Sequence, residues 1–210
     1  RVSAEALRQV EADCYWCLTK ILSGIQDHYT PNQPGIQRMM KKFEEVSSQI
    51  DDVLYKHLCS KGVEFIQFSF RWMNCLLLRE LNFRCAIRMW DAYFSEGDDG
   101  FEDFHIYVCV ALLNQFSEDL KQLHEFEHIL TFLLNLPTRK WSENEMESLL
   151  SQAFVLRSLS KDRHEHLTTI VKSTRKLDCP PSHECSHKGK SESAAFMAGT
   201  MSDIGFLCYG

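Results

Sequence analysis

FRWMNCLLLRELNFRCAIRMWDAY, residues 70–93, is the stretch whose reading decides the fold. It begins within an almost unbroken apolar run from Val63 to Leu81. A run apolar on every side predicts a helix enclosed by others, because a surface helix keeps one face polar. That places Arg71 and Arg79 where an unpaired buried charge costs about 3–5 kcal/mol, so each is expected to meet a carboxylate or a carbonyl. Trp72, Leu76 and Arg79, at i, i+4 and i+7, predict one stripe of one helix running to about Leu81. Asn82 is placed to cap the next helix, which ends with Trp90 and Asp91. Asp91 is the expected partner of Arg79, with Glu11 or Asp13 behind it.

Upstream, Ser3 predicts the cap of a first helix to about Ile21, with Leu7, Val10, Cys14, Cys17, Leu18 and Ile21 at helical spacing. Gly24–Gly35 reads as a loop because Pro31 and Pro34 cannot continue a helix. A long amphipathic helix is expected over Ile36–Leu58, with Met39, Phe43, Val46, Ile50, Val53 and Leu54 on its stripe and His57 at its edge. Gly62 then supplies a left-handed stop. Downstream, SEGDDG at residues 95–100 is an acidic turn, and Phe101–Phe116 is helical, with Gln115 on the side of Phe104, Val108 and Leu112. Ser117 is placed to cap a helix running to Leu134. Ser142 and Glu145 have the spacing of a capping box ahead of a last helix carrying Leu149, Leu150, Ala153 and Phe154. No segment alternates with period two, so the fold class is all-α, a multi-helix subdomain of packed helices. Residues 1–177 form this part. From Asp178 the chain turns to Pro, Ser, Gly and Lys, and residues 178–210 are expected to be a disordered tail.

The composition is 44% hydrophobic and 25% charged, with 23 basic against 29 acidic residues and a net charge of −6. This fits a folded chain, and without a basic stripe it excludes a nucleic-acid partner. No transmembrane segment or signal peptide is found. The nine cysteines are odd in number; Cys14, Cys17, Cys75, Cys85 and Cys109 sit in apolar patterns and read as small buried hydrophobes of an intracellular protein. The opening at Arg1, in mid-pattern, predicts a fragment or processed product.

Two groups have metal-ligand chemistry. His124-Glu125-Phe126-Glu127-His128 fits H-E-x-x-H, which on a helix places two imidazoles on one zinc ion, with Glu145 a third ligand and Glu125 activating water. A zinc peptidase also needs an edge strand for its substrate, and Glu145 is claimed by the capping box, so an ordinary surface helix is the favoured reading. Cys179, His183, Cys185 and His187 lie close together but lack the paired knuckles of a structural zinc site. No metal or cofactor is expected.

Arg71-Trp72, then Leu77-x-Arg79-Glu80, then Trp90-Asp91, resembles the TBC domain of Rab GTPase-activating proteins. EADCYWCLTKIL from Glu11, GIQDHYTPNQPGIQ from Gly24, FHIYVCVALL from Phe104 and NLPTRKWSENEMESLLSQAF to Phe154 follow in the same order. The likeness covers about residues 4–166 and points to the Golgi-type Rab/Ypt activators. It implies a Rab-family small GTPase as partner, with a Golgi adaptor as a further possibility, and a cytoplasmic location peripheral to Golgi membranes. In the family an arginine finger from I-x-x-D-x-x-R and a glutamine finger from Y-x-Q-G act on the bound nucleotide. Neither pattern occurs in this sequence, where no Asp has an Arg three positions on and no Gln precedes a Gly. The resemblance therefore implies the C-terminal half of the domain, a regulator's scaffold without catalytic residues of its own. It also implies apolar helix faces left without their usual cover. The alternative is a non-catalytic helical interaction module.

Overall fold

A computed structural model describes residues 3–175 of the protein, with side chains through Lys161. The chain divides into a compact unit ending at Leu167 and a second from Thr168; the first holds the core. Among the described residues the secondary structure is helical and contains no strand. The expected tail and its Cys179–His187 cluster lie outside the described residues.

The helix enclosed on all sides is not the one in the quoted stretch. It is α6, His105–Gln115, in which every residue from His105 to Leu113 is buried. Gln115 is exposed, contrary to its expected place on the inner side. α6 is packed by α2 (Pro34–Ile50), α4 (Ile66–Asn74) and α7 (Ser117–Gln122), and the other described helices are α1 (Ala4–Ile25), α3 (Asp52–Ser60), α5 (Phe83–Ser95), α8 (Phe126–Leu134) and α9 (Glu143–Arg175). Phe43 of α2, Phe65 and Phe68, and Trp72 of α4 pack edge-to-face or tilted at centroid distances of 5.2–6.1 Å. Such pairs add about 0.5–1.5 kcal/mol each beyond the burial of their area.

Three expected long helices are broken, the first two for reasons the structure makes plain. The α2–α3 break falls at Asp51, whose carboxylate accepts from the Leu54 amide at 2.9 Å and from the Ser117 hydroxyl, and pairs with Lys121 at 3.0 Å. An Asp side chain that captures backbone donors competes with helix continuation. Burial works against its charge, but these partners hold its pKa below the ordinary carboxylate range. Val53 is consequently turned out to solvent.

The second break divides the quoted stretch. α4 stops at Asn74, and Leu76 and Leu77 adopt left-handed backbone at φ 48° and 56°. Two consecutive non-glycine residues in that region store strain of about 1–3 kcal/mol each. Both side chains are buried, which holds them there. The third break lies at residues 123–125, between α7 and α8. Ser117 caps nothing, because Phe116 is the N-cap of α7 and the Ser117 hydroxyl donates to Asp51 instead, but the other expected caps and stops form. Ser3 accepts from the Ala6 amide at 3.1 Å, and Asn82 from the Cys85 amide at 3.1 Å. Gly62 closes α3 at φ 73°, and Ser142 with Glu145 forms the cap of α9.

Candidate functional site

Arg71, in the last turn of α4, aims its guanidinium at the turn that follows. Its Nε donates to Glu80 Oε1 at 2.6 Å and its Nη2 donates to the Leu134 carbonyl. In an unbroken helix, residues nine apart lie on opposite sides and about 13 Å apart along the axis. The left-handed leucines are what allow this pair to form. Glu80 is buried, and burial raises its pKa against the opposing pull of Arg71. The Thr138 hydroxyl donates to the Glu80 carbonyl oxygen. Asn82 Nδ2 donates to the Trp141 carbonyl at 2.8 Å and reaches that of Arg139 at 3.4 Å. The turn at 75–82 and the α8–α9 connection are thereby one polar bracket.

The expected burial of Arg79 is overturned. Arg79 is exposed, Asp91 is exposed, and neither belongs to an ion pair among the described residues. The reason is again the break after Asn74: it dissolves the Trp72–Leu76–Arg79 stripe and gives the carboxylate next in sequence to Arg71. Trp72 and Leu77 are fully buried, and Trp90 is half-buried. Glu11 and Asp13 are exposed on α1, where Asp13 accepts from Gln9 at 3.0 Å.

Two further polar assemblies carried no sequence signal, because their partners lie far apart in the chain. Arg38 of α2 joins Asp27 and Glu102, each at 2.8 Å. Lys42 pairs with Asp103. Both cations line a cleft of about 630 Å³ among α2, α6, the π-helical turn Gly100–Phe104 and α9, with Tyr107 at its floor. Positive and negative groups balance across this cleft. In the interior, His105 sits with Nδ1 2.8 Å from the Tyr93 hydroxyl and Nε2 3.2 Å from the Trp72 carbonyl. The carbonyl can only accept, so Nε2 carries the proton and Tyr93 donates to Nδ1. Burial lowers the His105 pKa to about 3. This arrangement positions helices and offers nothing to a ligand.

The H-E-x-x-H segment does not form the helical pair that zinc binding requires. His124 and Glu125 lie in the connection before α8, and only His128 is on the helix. The His124 ring stands 6.3 Å from that of His57, whose Nε2 meets the Leu123 carbonyl at 2.8 Å. Glu145 is occupied with Ser142, whose hydroxyl and amide hold its pKa low. Cys85 and Cys109 are buried as expected; Cys14 and Cys17 are instead exposed on α1.

α1 itself is the most unusual surface. From Ala4 to Lys20 every residue is exposed, including Leu7, Val10, Tyr15, Trp16 and Leu18. Only Ile25, its last residue, is buried. Contiguous apolar surface of this kind marks a face made to be covered.

Residues 6–121 match the Rab-GTPase-TBC domain, and the chain belongs to that family. It is 52% identical over 158 residues to the GTPase-activating protein gyp1 of Schizosaccharomyces pombe, a span of 75% of this chain and 30% of that protein. It is 47% identical over 165 residues to TBC1 domain family member 22A of Homo sapiens, covering 79% of this chain and 32% of the relative. The crystal structure of the Ypt/Rab-GAP domain of Gyp1p superposes with a TM-score of 0.72 at 46% identity, covering 76% of this chain and 49% of that one. The chain thus spans about a third of the length of these curated relatives and half of the solved domain.

Proposed function

We propose that this chain is the C-terminal half of a Rab GTPase-activating domain. In this reading it contributes part of the surface that meets a Rab-family small GTPase and supports the half that carries the catalytic residues. The observation that carries the reading is α1: six large apolar side chains stand exposed on one helix, in a chain that matches only half of the solved relative's domain. The likeness to Golgi-type activators supports a cytoplasmic location, peripheral to Golgi membranes, for such a protein. No helix among the described residues is long and apolar enough to cross a membrane.

The same reading makes the chain inactive alone. Accelerating phosphoryl transfer by the usual factor of about 10³–10⁵ needs a free arginine aimed at the nucleotide and a glutamine holding the attacking water. Arg71 is committed to Glu80, Arg38 to Asp27 and Glu102, and Arg88 to Glu147. The exposed Arg79 and Arg84 have no glutamine beside them in sequence. The test is single-turnover hydrolysis with a panel of GTP-loaded Rabs, together with a binding measurement for each. Binding to at least one Rab without acceleration is the expected result. Acceleration by this chain alone overturns the inactivity. Failure to bind any Rab favours an interaction module for another partner, such as an adaptor.

A further inference from the structure

One corner of the molecule collects charges that the rest of the structure leaves unanswered. The left-handed Leu76 and Leu77 turn the backbone so that Leu78 and Arg79 both face solvent, while the residues on either side are buried. Four residues on, Phe83 opens α5 with 80% of its surface exposed, the largest exposure among the large apolar side chains. Arg84 is exposed beside it. The bracket of Asn82 and Thr138 brings the α8–α9 connection against this turn, and its exposed Arg139 and Lys140 come with it. Arg79, Arg84, Arg139 and Lys140 belong to no ion pair among the described residues, although elsewhere on the surface cations are regularly matched. Glu80 feels the charge of Arg79 but is buried and bonded to Arg71, and Glu145, near Cys85, is turned to Ser142.

We propose that this corner is a docking surface for an anionic lipid bilayer. The chain carries a net charge of −6, so four unpaired cations in one place define an orientation toward a negatively charged plane. Exposed Phe83 and Leu78 among those cations have the composition of an interfacial anchor: apolar tips for the headgroup boundary, basic groups for the phosphates. An acidic peptide is the rival occupant, since clustered arginines also hold acidic motifs; the exposed Phe83 and Leu78 standing among the cations favour the bilayer, and the clefts beside α2 are lined by none of these residues. The rigid turn fits the same role. Its strain is held by Arg71, Glu80 and Thr138 from within, so the tips stay presented without a partner. The proposal does not depend on Rab recognition.

The test is flotation of the full chain with vesicles of phosphatidylcholine alone and with about one-fifth phosphatidylserine, at low and high salt. The expected result is binding to the anionic vesicles only, lost at high salt. Arg79→Glu with Arg139→Glu, and separately Phe83→Ser, weaken it, the double reversal by about 25-fold or more at roughly fivefold per cation removed. Lys41→Glu, a charge reversal on α2 outside the corner, leaves it intact. All four sites are exposed, and thermal unfolding of each variant is expected to stay unchanged. Equal binding to neutral vesicles points to the apolar face of α1 and overturns the proposal. So does binding that survives the corner variants, or no vesicle binding at all. Loss of affinity for a GTP-loaded Rab in the corner variants, without any vesicle binding, assigns the patch to an acidic protein surface instead.

Discussion

α6 and α1 are both rich in apolar side chains, yet α6 is buried on every side and α1 on almost none. The difference lies in their neighbours. α6 lies in the middle of the unit, packed by α2, α4 and α7 and the π-helical turn. α1 touches the rest only through its last turns, near Ile25 and through the Lys20–Asp98 pair at 2.8 Å. Apolar content therefore reports that a helix is built to be covered, and topology decides whether the cover comes from this chain. The contrast has consequences for acid sensitivity, charge burial, packing and capping, in falling order of size.

Acid sensitivity is expected to originate around α6. His105 titrates at about 3 in the folded protein because burial disfavours its charged form, against about 6.5 when unfolded. Between those values the unfolded chain binds the extra proton, so stability is fully present above about pH 6.5 and is lost as pH falls toward 3. A shift of that size corresponds to about 4–5 kcal/mol across the window. His28, also lowered by burial, adds to it with the same sign. The pH dependence of the urea midpoint is the measurement, and His105→Gln is expected to flatten its slope whatever it does to the absolute stability. An unchanged slope would break the assignment to α6.

Within the quoted stretch the same contrast separates two arginines. Arg71→Ala strands the buried Glu80 carboxylate and is expected to cost about 3 kcal/mol, the low end for a broken buried pair because the guanidinium is partly exposed. Arg79→Ala is expected to stay within about 0.5 kcal/mol. Comparable losses by chemical denaturation would mean that Arg79 is covered after all. A matched pair of valines sharpens the point: Val108→Ala in α6 is expected to cost about 2 kcal/mol from lost burial and cavity formation. Val10→Ala in α1 is expected to change stability by less than about 0.5 kcal/mol and to lower the tendency to self-associate, read by sedimentation velocity.

What was legible in the sequence follows from range. Caps depend on residues three apart, and Ser3, Asn82, Gly62 and Ser142 were all read correctly. All-α packing and the TBC likeness rest on long periodic runs and on motifs in order, and both hold. Helix lengths were overestimated wherever a distant partner won. Asp51 is taken by Ser117 and Lys121, and Glu80 by Arg71 and Thr138. The left-handed leucines had no signal, since neither glycine nor proline marks the turn. The identity of the enclosed helix was misassigned for a related reason. Val63–Leu81 and Phe104–Leu113 are both apolar, and only the chain path shows which lies in the middle. The cleft beside Arg38 and Lys42 was invisible because its walls come from four separate segments.

The smallest expected effect is the most discriminating. Replacing an N-cap residue by alanine costs a helix about 1 kcal/mol, but that loss appears in global unfolding only if the helix unfolds with the core. Asn82 caps α5, whose inner face buries Cys85, Ala86, Met89 and Tyr93. Asn82→Ala also removes the bond to the Trp141 carbonyl, so about 1 kcal/mol or slightly more is expected in the denaturation midpoint. Ser3 caps α1 through the Ala6 amide in a turn that touches nothing else. Ser3→Ala is expected to leave the global midpoint unchanged while accelerating amide exchange in the first turns of α1, because uncovered segments open locally with little free energy. If Ser3→Ala instead lowers the midpoint by as much as Asn82→Ala, α1 unfolds together with the core. The apolar face from Leu7 to Leu18 is then covered in solution, as by a second copy, and the contrast between the two helices fails.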